Sequence, residues 1–472
     1  MKIKLHILLV TIIMATSVGW AQTSTITHYT IGGSQGGNGT ESSPYQKSSL
    51  SEVLTAINAS QEDSTVIYLP DGNYSTTDPS FFSITKPSVA VIGKDTNSVT
   101  IGSPFDITLA AGGAVSFYGV HLNATTDKGR GVVDIKSSNT TVSFTDSKVT
   151  ISGTGTADGG STVCFGIVSG TGEINNNTIN FLNSRMFMPN RCQRGIAFRD
   201  GNGHTLNFSH SVMEGPAAKS GPDYVIGLCS WPSGTQNVKP ITYNISDSRV
   251  DICYYAVFVN NQTVVPIDIN IDNSDLTAWS SLYLRGDGVK TTPYSFPQTI
   301  NITNSNLTGR SFMNGPSDGF STIVFEACPN IDMAIDSKST VISKHLDPQQ
   351  VPAITMDLIQ MRNTQGNITF TSEGNEKCTI QALNTAYSPI AFNISDNNEY
   401  KKPATDVKIS GIENTIITNG DGIPYISIFK SDSSFHNAVA DITTLLTRIS
   451  ITDGDKLVFP ESSFELPTTF TL

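Results

Sequence analysis

The architecture can be inferred from residues 300–307, Ile300-Asn-Ile-Thr-Asn-Ser-Asn-Leu307. Apolar and polar residues alternate at the start of this segment, as in a β-strand, and Asn and Ser follow. The segment ends in an aliphatic residue, which we call the closing residue. Similar segments occur at 142–149, 174–179, 243–250 and 269–276, with a weaker copy around Met213. The closing residues are therefore 149, 179, 213, 250, 276 and 307, with spacings of 30, 34, 37, 26 and 31 residues. A period near thirty built from short strands, without a helical period between them, predicts a solenoid.

A second row of apolar strands runs in phase with the first. Its members are 131–135, 166–168, 195–198, 224–228, 255–259, 281–284, 322–325, 353–356 and 389–392. Each coil therefore contributes two or more strands to separate parallel sheets, whose neighbouring strands lie about 4.8 Å apart. Asn at the bends, as in Asn273, tolerates a left-handed φ and can bond along a stack of turns. We therefore expect an all-β fold, a right-handed parallel β-helix.

The two ends of the chain carry segments suited to cover the core of a solenoid. Residues 22–90 are expected to form an N-terminal cap and first coil, because Leu50, Val53, Leu54 and Ile57 lie at helical spacing. Residues 91–400 form the coils, and 401–472 form the last coil and a C-terminal cap. In that final part, 423–428 is expected to be the last coil strand and 438–448 a capping helix.

The first 21 residues have the composition of a secretory signal peptide. Lys2 and Lys4 precede an apolar run from Leu5 to Ala15, and small residues lead to Ala21. The run is too short to span a bilayer, and no later segment approaches 18 apolar residues. We expect a secreted, periplasmic or cell-surface protein without a transmembrane segment.

The charge balance argues against nucleic acid as a partner. The chain has 29 Lys and Arg against 41 Asp and Glu, a net charge of −12. Phosphate binding needs clustered cations. The expected partner is a polysaccharide or surface glycan, bound by a monomer.

Three segments of the N-terminal region stand out: Gly37–Thr40, Ser43–Tyr45 and Leu69–Tyr74. In these segments the chain resembles secreted bacterial parallel β-helix proteins of the pectate-lyase-like superfamily, in which such segments open the first coil. The resemblance implies the fold, which hosts lyases, hydrolases, esterases and adhesins. The catalytic signature of the polygalacturonases is absent, since the chain has no Asp-Asp pair.

Candidate catalytic residues follow from aligning the second row of strands. If the pairs 257/259, 282/284, 323/325 and 354/356 point inward, the next outward residues are Asn260, Arg285, Glu326 and Asp357. For elimination from a uronate, Arg285 would be the base or clamp, and Glu326 and Asp357 would neutralise charge or hold Ca²⁺. For glycoside hydrolysis, Glu326 and Asp357 would be the acid and the nucleophile. A salt-bridge ladder that stabilises the sheet is the alternative.

Candidate substrate contacts lie on the same strands or beside them. They are Phe258, Tyr283, Arg199 and Trp231. Arg199 belongs to a basic cluster that also contains Arg185, Arg191, Arg194 and His204. The cluster can hold an acidic sugar, and scattered arginines explain it equally well. Trp231 either stacks on a sugar ring or is buried under its loop.

Two classes of function remain open. The first is a glycan-binding or polysaccharide-processing protein, with a pectate-lyase-like lyase as one form of it. The second is a non-catalytic, adhesin-like or structural solenoid. A cleft with an arginine and two carboxylates favours the enzyme, whereas a flat aromatic or Thr-lined face favours binding.

Overall fold

The chain winds into a solenoid of three parallel sheets. A computed structural model of the protein describes residues 26–32, 36–62, 64–77, 80–126, 129–155, 163–170, 172, 174–216, 224–233, 238–261, 265–286, 296–311, 321–328, 330–345, 357–383, 390–395 and 406–460. Most coils give one strand to sheet 1, the next to sheet 2 and the third to sheet 3. This arrangement confirms the predicted right-handed parallel β-helix. No helix within the described ranges is long and apolar enough to cross a membrane.

Sheet 1 contains 14 strands within the described residues. In spatial order they are β2 (Tyr45–Lys47), β1 (Ile26–Ile31), β3 (Ser64–Tyr68), β6 (Val89–Ile92), β9 (Gly113–Tyr118), β12 (Thr140–Thr145), β15 (Thr178–Leu182), β18 (Thr205–Ser209), β21 (Ile241–Ser246), β24 (Ile267–Asp272), β27 (Gln298–Thr303), β30 (Ile331–Ile335), β33 (Gln365–Phe370) and β36 (Asp406–Ser410).

Sheets 2 and 3 contain 12 and 11 strands in the same part of the chain. Sheet 2 consists of β4 (Gly72–Tyr74), β7 (Val99–Ile101), β10 (His121–Ala124), β13 (Lys148–Ile151), β16 (Arg185–Phe187), β19 (Val212–Glu214), β22 (Arg249–Asp251), β25 (Asp275–Ala278), β28 (Asn306–Ser311), β31 (Thr340–His345), β34 (Cys378–Ala382) and β37 (Thr415–Thr418). Sheet 3 consists of β5 (Phe82–Ile84), β8 (Phe105–Ile107), β11 (Gly131–Ile135), β14 (Cys164–Ser169), β17 (Gln193–Phe198), β20 (Ile226–Ser230), β23 (Tyr255–Asn261), β26 (Ser280–Gly286), β29 (Ile323–Glu326), β32 (Ile359–Arg362) and β35 (Phe392–Ser395).

A two-residue turn joins sheet 1 to sheet 2 in coil after coil. Its first residue has a positive φ, which Asn and Asp tolerate better than most residues and Gly accepts without strain. The residues in this position are Gly119, Asp146, Asn183, His210, Asp247, Asn273 and Asn304. Side-chain amides link neighbouring turns, since Asn273 donates to Asp247 at 2.6 Å and Asn304 donates to Asn273 at 2.9 Å. The predicted role of Asn at the bends is confirmed.

The core between the sheets is continuous along the solenoid. Alternate residues of each strand point inward, and aromatic rings of successive sheet 1 strands stack on one another. Phe117, Phe144, Phe181 and Phe208 are all buried, with successive ring centroids 5.2, 5.7 and 5.4 Å apart. Each coil therefore buries its core residues mainly against its two neighbours.

Helices and a small antiparallel sheet lie at the two ends. Helix α1 (Leu50–Ala59) buries Leu50, Val53, Leu54 and Ile57, and Ser49 caps its N-terminus by accepting from the Glu52 N–H. Near the C-terminus are a 3₁₀ helix (Ile412–Asn414), helix α2 (Ile442–Arg448) and the strands β38 (Ile426–Phe429), β39 (Phe435–Val439) and β40 (Lys456–Val458).

The prediction that residues 423–428 form the last coil strand is wrong. Strand β38 pairs antiparallel with β39 and β40, outside the three sheets of the solenoid. The chain reverses just before it, where the Asn419 N–H donates to the Ile423 carbonyl at 3.0 Å. The predicted leader at 1–21 lies outside the described residues.

Candidate functional site

Two carboxylates lie side by side on the outer face of sheet 3. In β8, Phe105 and Ile107 point into the core, so Asp106 between them points outward; in β11 the alternation likewise places Asp134 outward. Asp134 is the register partner of Asp106 on the neighbouring strand. The residues are 6% and 7% exposed, so both acids are buried although they point away from the core.

Two cations hold these carboxylates. The Arg130 guanidinium contacts Asp106 through Nη2 and donates from Nε to Asp134 Oδ2 at 3.1 Å. Lys136 Nζ lies 2.5 Å from the other oxygen of Asp106. Both cations also lie over the Phe81 ring, at 4.8 and 5.8 Å from its centroid. Arg130 and Lys136 flank β11 in sequence, so one strand and its ends bring the cluster together.

A cleft of about 250 Å³ opens beside Asp134. We call it the sheet-3 cleft; it is lined by Gly129, Arg130, Asp134, Ile135, Lys136, Val168, Gly170 and Arg199. Arg199 follows β17; its Nη1 donates to the Gly129 carbonyl at 3.4 Å, and its guanidinium lies 5.7 Å from the Phe165 ring centroid. With Asp106, the site combines three cations and two carboxylates, a surplus of one positive charge in a chain of net charge −12.

The surroundings of Asp134 shift its pKa. Burial raises the pKa of Asp134, and the nearby Asp106 charge adds to that rise, while the Gly131 N–H and Arg130 oppose it. Burial alone would lower the pKa of Arg130, but Asp106 and Asp134 outweigh that effect and raise it. Asp134 therefore holds a proton more readily than a free aspartate does, beside a permanently charged guanidinium.

The structure brings together two of the three predicted catalytic residues. Arg285 and Glu326 are register partners on β26 and β29, with Arg285 Nε 3.8 Å from Glu326 Oε1. The Tyr283 hydroxyl donates to Oε2 of the same carboxylate. Burial raises the pKa of Tyr283, and the Glu326 charge adds to this effect. Glu326 is therefore hydrogen-bonded at Oε2 and forms a loose ion pair at Oε1.

The predicted position of Asp357 in this row is wrong. The inward pair of the next strand is Ile359 and Met361, not residues 354 and 356, so Arg362 is the register partner of Glu326. Asp357 precedes β32 and is only 4% exposed.

An ion pair occupies the buried Asp357 carboxylate. It accepts from Arg448 Nη1 and Nη2 at 2.9 and 2.8 Å, and from Asn393 Nδ2 at 2.6 Å. Asp357 thus joins the solenoid to helix α2, and the predicted calcium ligands Glu326 and Asp357 are not brought together. The described residues contain no group of three or more His, Cys, Asp and Glu that could hold a metal ion.

Two of the predicted substrate contacts are covered. Phe258 and Tyr283 point outward from sheet 3 as predicted, but they are only 9% and 7% exposed. They belong to an apolar cluster on the outer face of the sheet that also contains Val163, Phe165, Val168, Cys192, Ala197, Ile226, Cys229, Tyr255 and Val324. Trp231 is half-buried against this cluster, with Arg194 4.3 Å from its ring centroid.

The predicted basic cluster is divided between faces of the solenoid. Arg185 lies on sheet 2, whereas Arg194 belongs to β17 of sheet 3 and Arg199 follows that strand. His204 is fully buried, with Nε2 2.9 Å from the Asp200 carbonyl. Of this set, Arg199 lines the sheet-3 cleft.

Sequence reasoning missed Asp106, Arg130, Asp134 and Lys136. Asp134 was part of a predicted strand, and Asp106 lies 28 residues before it, one coil earlier. The signal in the sequence was an acidic residue in the middle of an otherwise apolar strand. Buried charged residues are nearly always paired, so Asp134 indicated that a cation lies nearby.

Neither a protein-family model nor a curated protein sequence matches the chain. Among solved structures, the catalytic domain of a GH87 alpha-1,3-glucanase in complex with nigerose is similar at 15% identity and a TM-score of 0.41, over 76% of this chain and 66% of that chain. The chain thus spans slightly less than two thirds of the glucanase chain. Pectate lyase Pel9A is similar at 11% identity and a TM-score of 0.28, over 82% of this chain and 80% of that chain.

Proposed function

We propose that the protein binds an acidic polysaccharide in the sheet-3 cleft and cleaves its glycosidic bonds, with Asp134 as the proton donor. The observation that carries the proposal is the presence of two carboxylates on neighbouring strands beside three cations. Arg130 and Lys136 are paired with the acids. Arg199 forms no ion pair within the described residues, so it is the cation available for a sugar carboxylate or sulfate.

The positions of the two acids fit a retaining hydrolysis. Asp106 and Asp134 are register partners on neighbouring strands, and one guanidinium, that of Arg130, contacts both carboxylates, so the two carboxyl groups lie close together. Retaining glycosidases hold their two carboxyl groups about 5–5.5 Å apart. Asp134 would protonate the leaving glycosidic oxygen while the Asp106 carboxylate attacks the anomeric carbon. Water would then attack the glycosyl–enzyme bond, giving its proton to Asp134 and releasing Asp106.

One observation favours a non-catalytic binding solenoid as the second candidate. Both carboxylates already have cationic partners, with Lys136 as close as 2.5 Å to Asp106. A cluster of ion pairs that only stabilises the fold would also have a cation beside each carboxylate. In that case Arg199 would still bind an acidic glycan, but Asp134 would transfer no proton.

The test is an assay of the purified full chain with polygalacturonate, a sulfated galactan and the neutral polymer dextran. Reducing ends and the ultraviolet absorbance of unsaturated uronates are followed together. We expect reducing ends without new absorbance from an acidic polymer. Replacing the acid with Asp134→Asn should lower the rate by at least about a hundredfold, which is the usual contribution of a positioned general acid.

The matched control is Asp332→Asn, which removes an exposed carboxylate from the outer face of sheet 1. It should leave the rate unchanged. New ultraviolet absorbance would show that the glycosidic bond is cleaved by elimination and not by hydrolysis. Retention of an acidic polymer without any cleavage, weakened by Arg199→Gln, would establish the binding solenoid instead, and no retention of any acidic polymer would overturn the proposal.

A further inference from the structure

A row of outward residues on sheet 3 connects the cleft with a second charged group. Asn260, Arg285, Glu326 and Arg362 are register partners on successive coils. Continuing the registers of β17, β20 and β23 by one residue, beyond Phe198, Ser230 and Val259, brings Arg199 and Trp231 into the same row, one residue on each coil. At ~4.8 Å per strand, Arg285 is three steps and roughly 14 Å from Arg199, and Arg362 is five steps and roughly 24 Å from it. These distances exceed the reach of a single sugar and match an extended chain of several.

Two guanidiniums flank a single carboxylate at the far end of this row. Glu326 is the register partner of both Arg285 and Arg362. Its Oε2 accepts from Tyr283, and its Oε1 lies 3.8 Å from Arg285, which is a loose ion pair. The Arg285 side chain is 41% exposed, and Arg362 forms no ion pair within the described part of the chain.

The donors of these two arginines therefore exceed what Glu326 can accept. Each guanidinium has five N–H donors in a planar fork that suits a carboxylate or sulfate. Glu326 already accepts a hydrogen bond from Tyr283 and lies between the two guanidiniums. Its single negative charge offsets one of their two positive charges, so one positive charge remains.

We propose that Arg285 and Arg362 form a second anion-binding subsite for a charged sugar of the same polymer that occupies the cleft. This inference rests on the proposed function and specifies its substrate as a long polyanionic polysaccharide lying along the solenoid axis. The subsite acts only in binding: it adds affinity for chains long enough to reach it, because the second contact becomes intramolecular once the first has formed.

The experiment compares binding of a trimer fraction and a long-chain fraction of oligogalacturonate. The proteins are the wild-type full chain, Arg199→Gln, and the double variant Arg285→Gln with Arg362→Gln. The double variant should lose about tenfold in affinity for the long fraction and nothing for the trimer. Lys408→Gln, which removes an exposed charge from sheet 1, is the matched control and should change neither.

A variant with the opposite expected sign separates binding from folding. Glu326→Gln removes the competing carboxylate and keeps an oxygen to accept from Tyr283, so it should raise affinity for the long fraction. A gain of affinity cannot come from misfolding. Unchanged affinity in both the double variant and Glu326→Gln would overturn the subsite.

The outcomes also separate the subsite from the cleft. Loss of trimer and long-chain binding in Arg199→Gln alone, with no effect of the double variant, would leave the cleft standing and remove the subsite. Loss in the double variant alone would support the subsite and contradict the cleft. Failure of the wild-type chain to bind either fraction, or a sulfated galactan, would overturn both.

Discussion

At the level of single residues, Asp134 is the group whose protonation should be visible in stability. Its pKa is raised by burial, so the folded state holds the proton more tightly than the unfolded chain. The contribution of such a group to stability is fully present below the unfolded pKa and is lost as pH rises through the folded pKa. The proton needed for cleavage is lost over the same range.

We therefore expect the turnover of wild-type protein to fall as pH rises through the raised pKa of Asp134. Over this interval the free energy of unfolding of the wild type should also fall relative to that of Asp134→Asn, which cannot ionise. Urea denaturation at a series of pH values measures the second effect. Asp332→Asn is the control, and parallel stability curves for wild type and Asp134→Asn would contradict the assignment.

A ladder of serines supplies a second prediction for single residues. Ser211 is buried in the turn between β18 and β19; its hydroxyl accepts from the Ser184 N–H at 3.1 Å and donates towards the Ser209 carbonyl. The change Ser211→Ala leaves that buried N–H unbonded, which should destabilise the fold by about 1–3 kcal/mol. Chemical denaturation measures the loss. The exposed Ser75→Ala is the control, and equal effects of the two changes would show that the ladder is dispensable.

The sequence predicted the positions of candidate site residues correctly where neighbouring coils repeat the same strand pattern. It failed where that pattern becomes ambiguous. Arg285 and Glu326 were placed together because β26 and β29 carry clear inward pairs, Leu282/Leu284 and Ile323/Phe325. Asp357 was misplaced because residues 354/356 and 359/361 both offer an apolar pair at the same spacing. Only the contacts of the folded chain, including the Arg448 ion pair 91 residues away, distinguish the two registers.

At the level of elements, the C-terminal cap depends on one ion pair to a buried carboxylate. Helix α2 carries Arg448, which binds Asp357, just before β32, through its two terminal guanidinium nitrogens. Asn437 of β39 adds a second attachment, donating to the Phe392 carbonyl at 2.7 Å. The cap therefore covers the end of the core through polar contacts as well as apolar ones.

Removing the cation should release this cap. Arg448→Met leaves the buried Asp357 carboxylate without its charge partner. Because Arg448 itself is solvent-exposed, the expected cost is that of a buried acceptor that loses its partner, about 1–3 kcal/mol. Hydrogen exchange should show faster opening of β38, β39 and α2, while strands in the middle of the solenoid keep their protection. Lys456→Met, at an exposed position of β40, should change neither, and an undisturbed cap in Arg448→Met would refute the role of the ion pair.

The strands themselves were predictable because each has a period of two and recurs about once per coil. The cap strand β38 was not, because its segment has the same alternation as a coil strand. What differs is the pairing direction, set by the turn at Asn419, where the side chain accepts from the N–H groups of Asp421 and Ile423. A local pattern indicates a strand, but it does not indicate which sheet the strand joins.

At the level of the whole molecule, the solenoid is held by contacts between neighbouring coils. Strands of sheet 1 pair with the coil before and the coil after, and the stacked Phe rings follow the same path. Stability in such a structure is close to a sum over adjacent coils. Damage to one coil should therefore spread only a short distance, and the sheet-3 cleft should tolerate changes at the far end.

The change Phe181→Ala tests this locality. Phe181 is fully buried between Phe144 and Phe208, and removing its ring should cost about 3–5 kcal/mol. Hydrogen exchange should quicken in β12, β15 and β18 and stay unchanged in β33 and β36. Phe370→Ala, which removes an equally buried ring from β33, is the matched variant and should give the reverse pattern. A uniform loss of protection in both variants would mean that the solenoid unfolds as one cooperative unit, and the far coils could then influence the cleft after all.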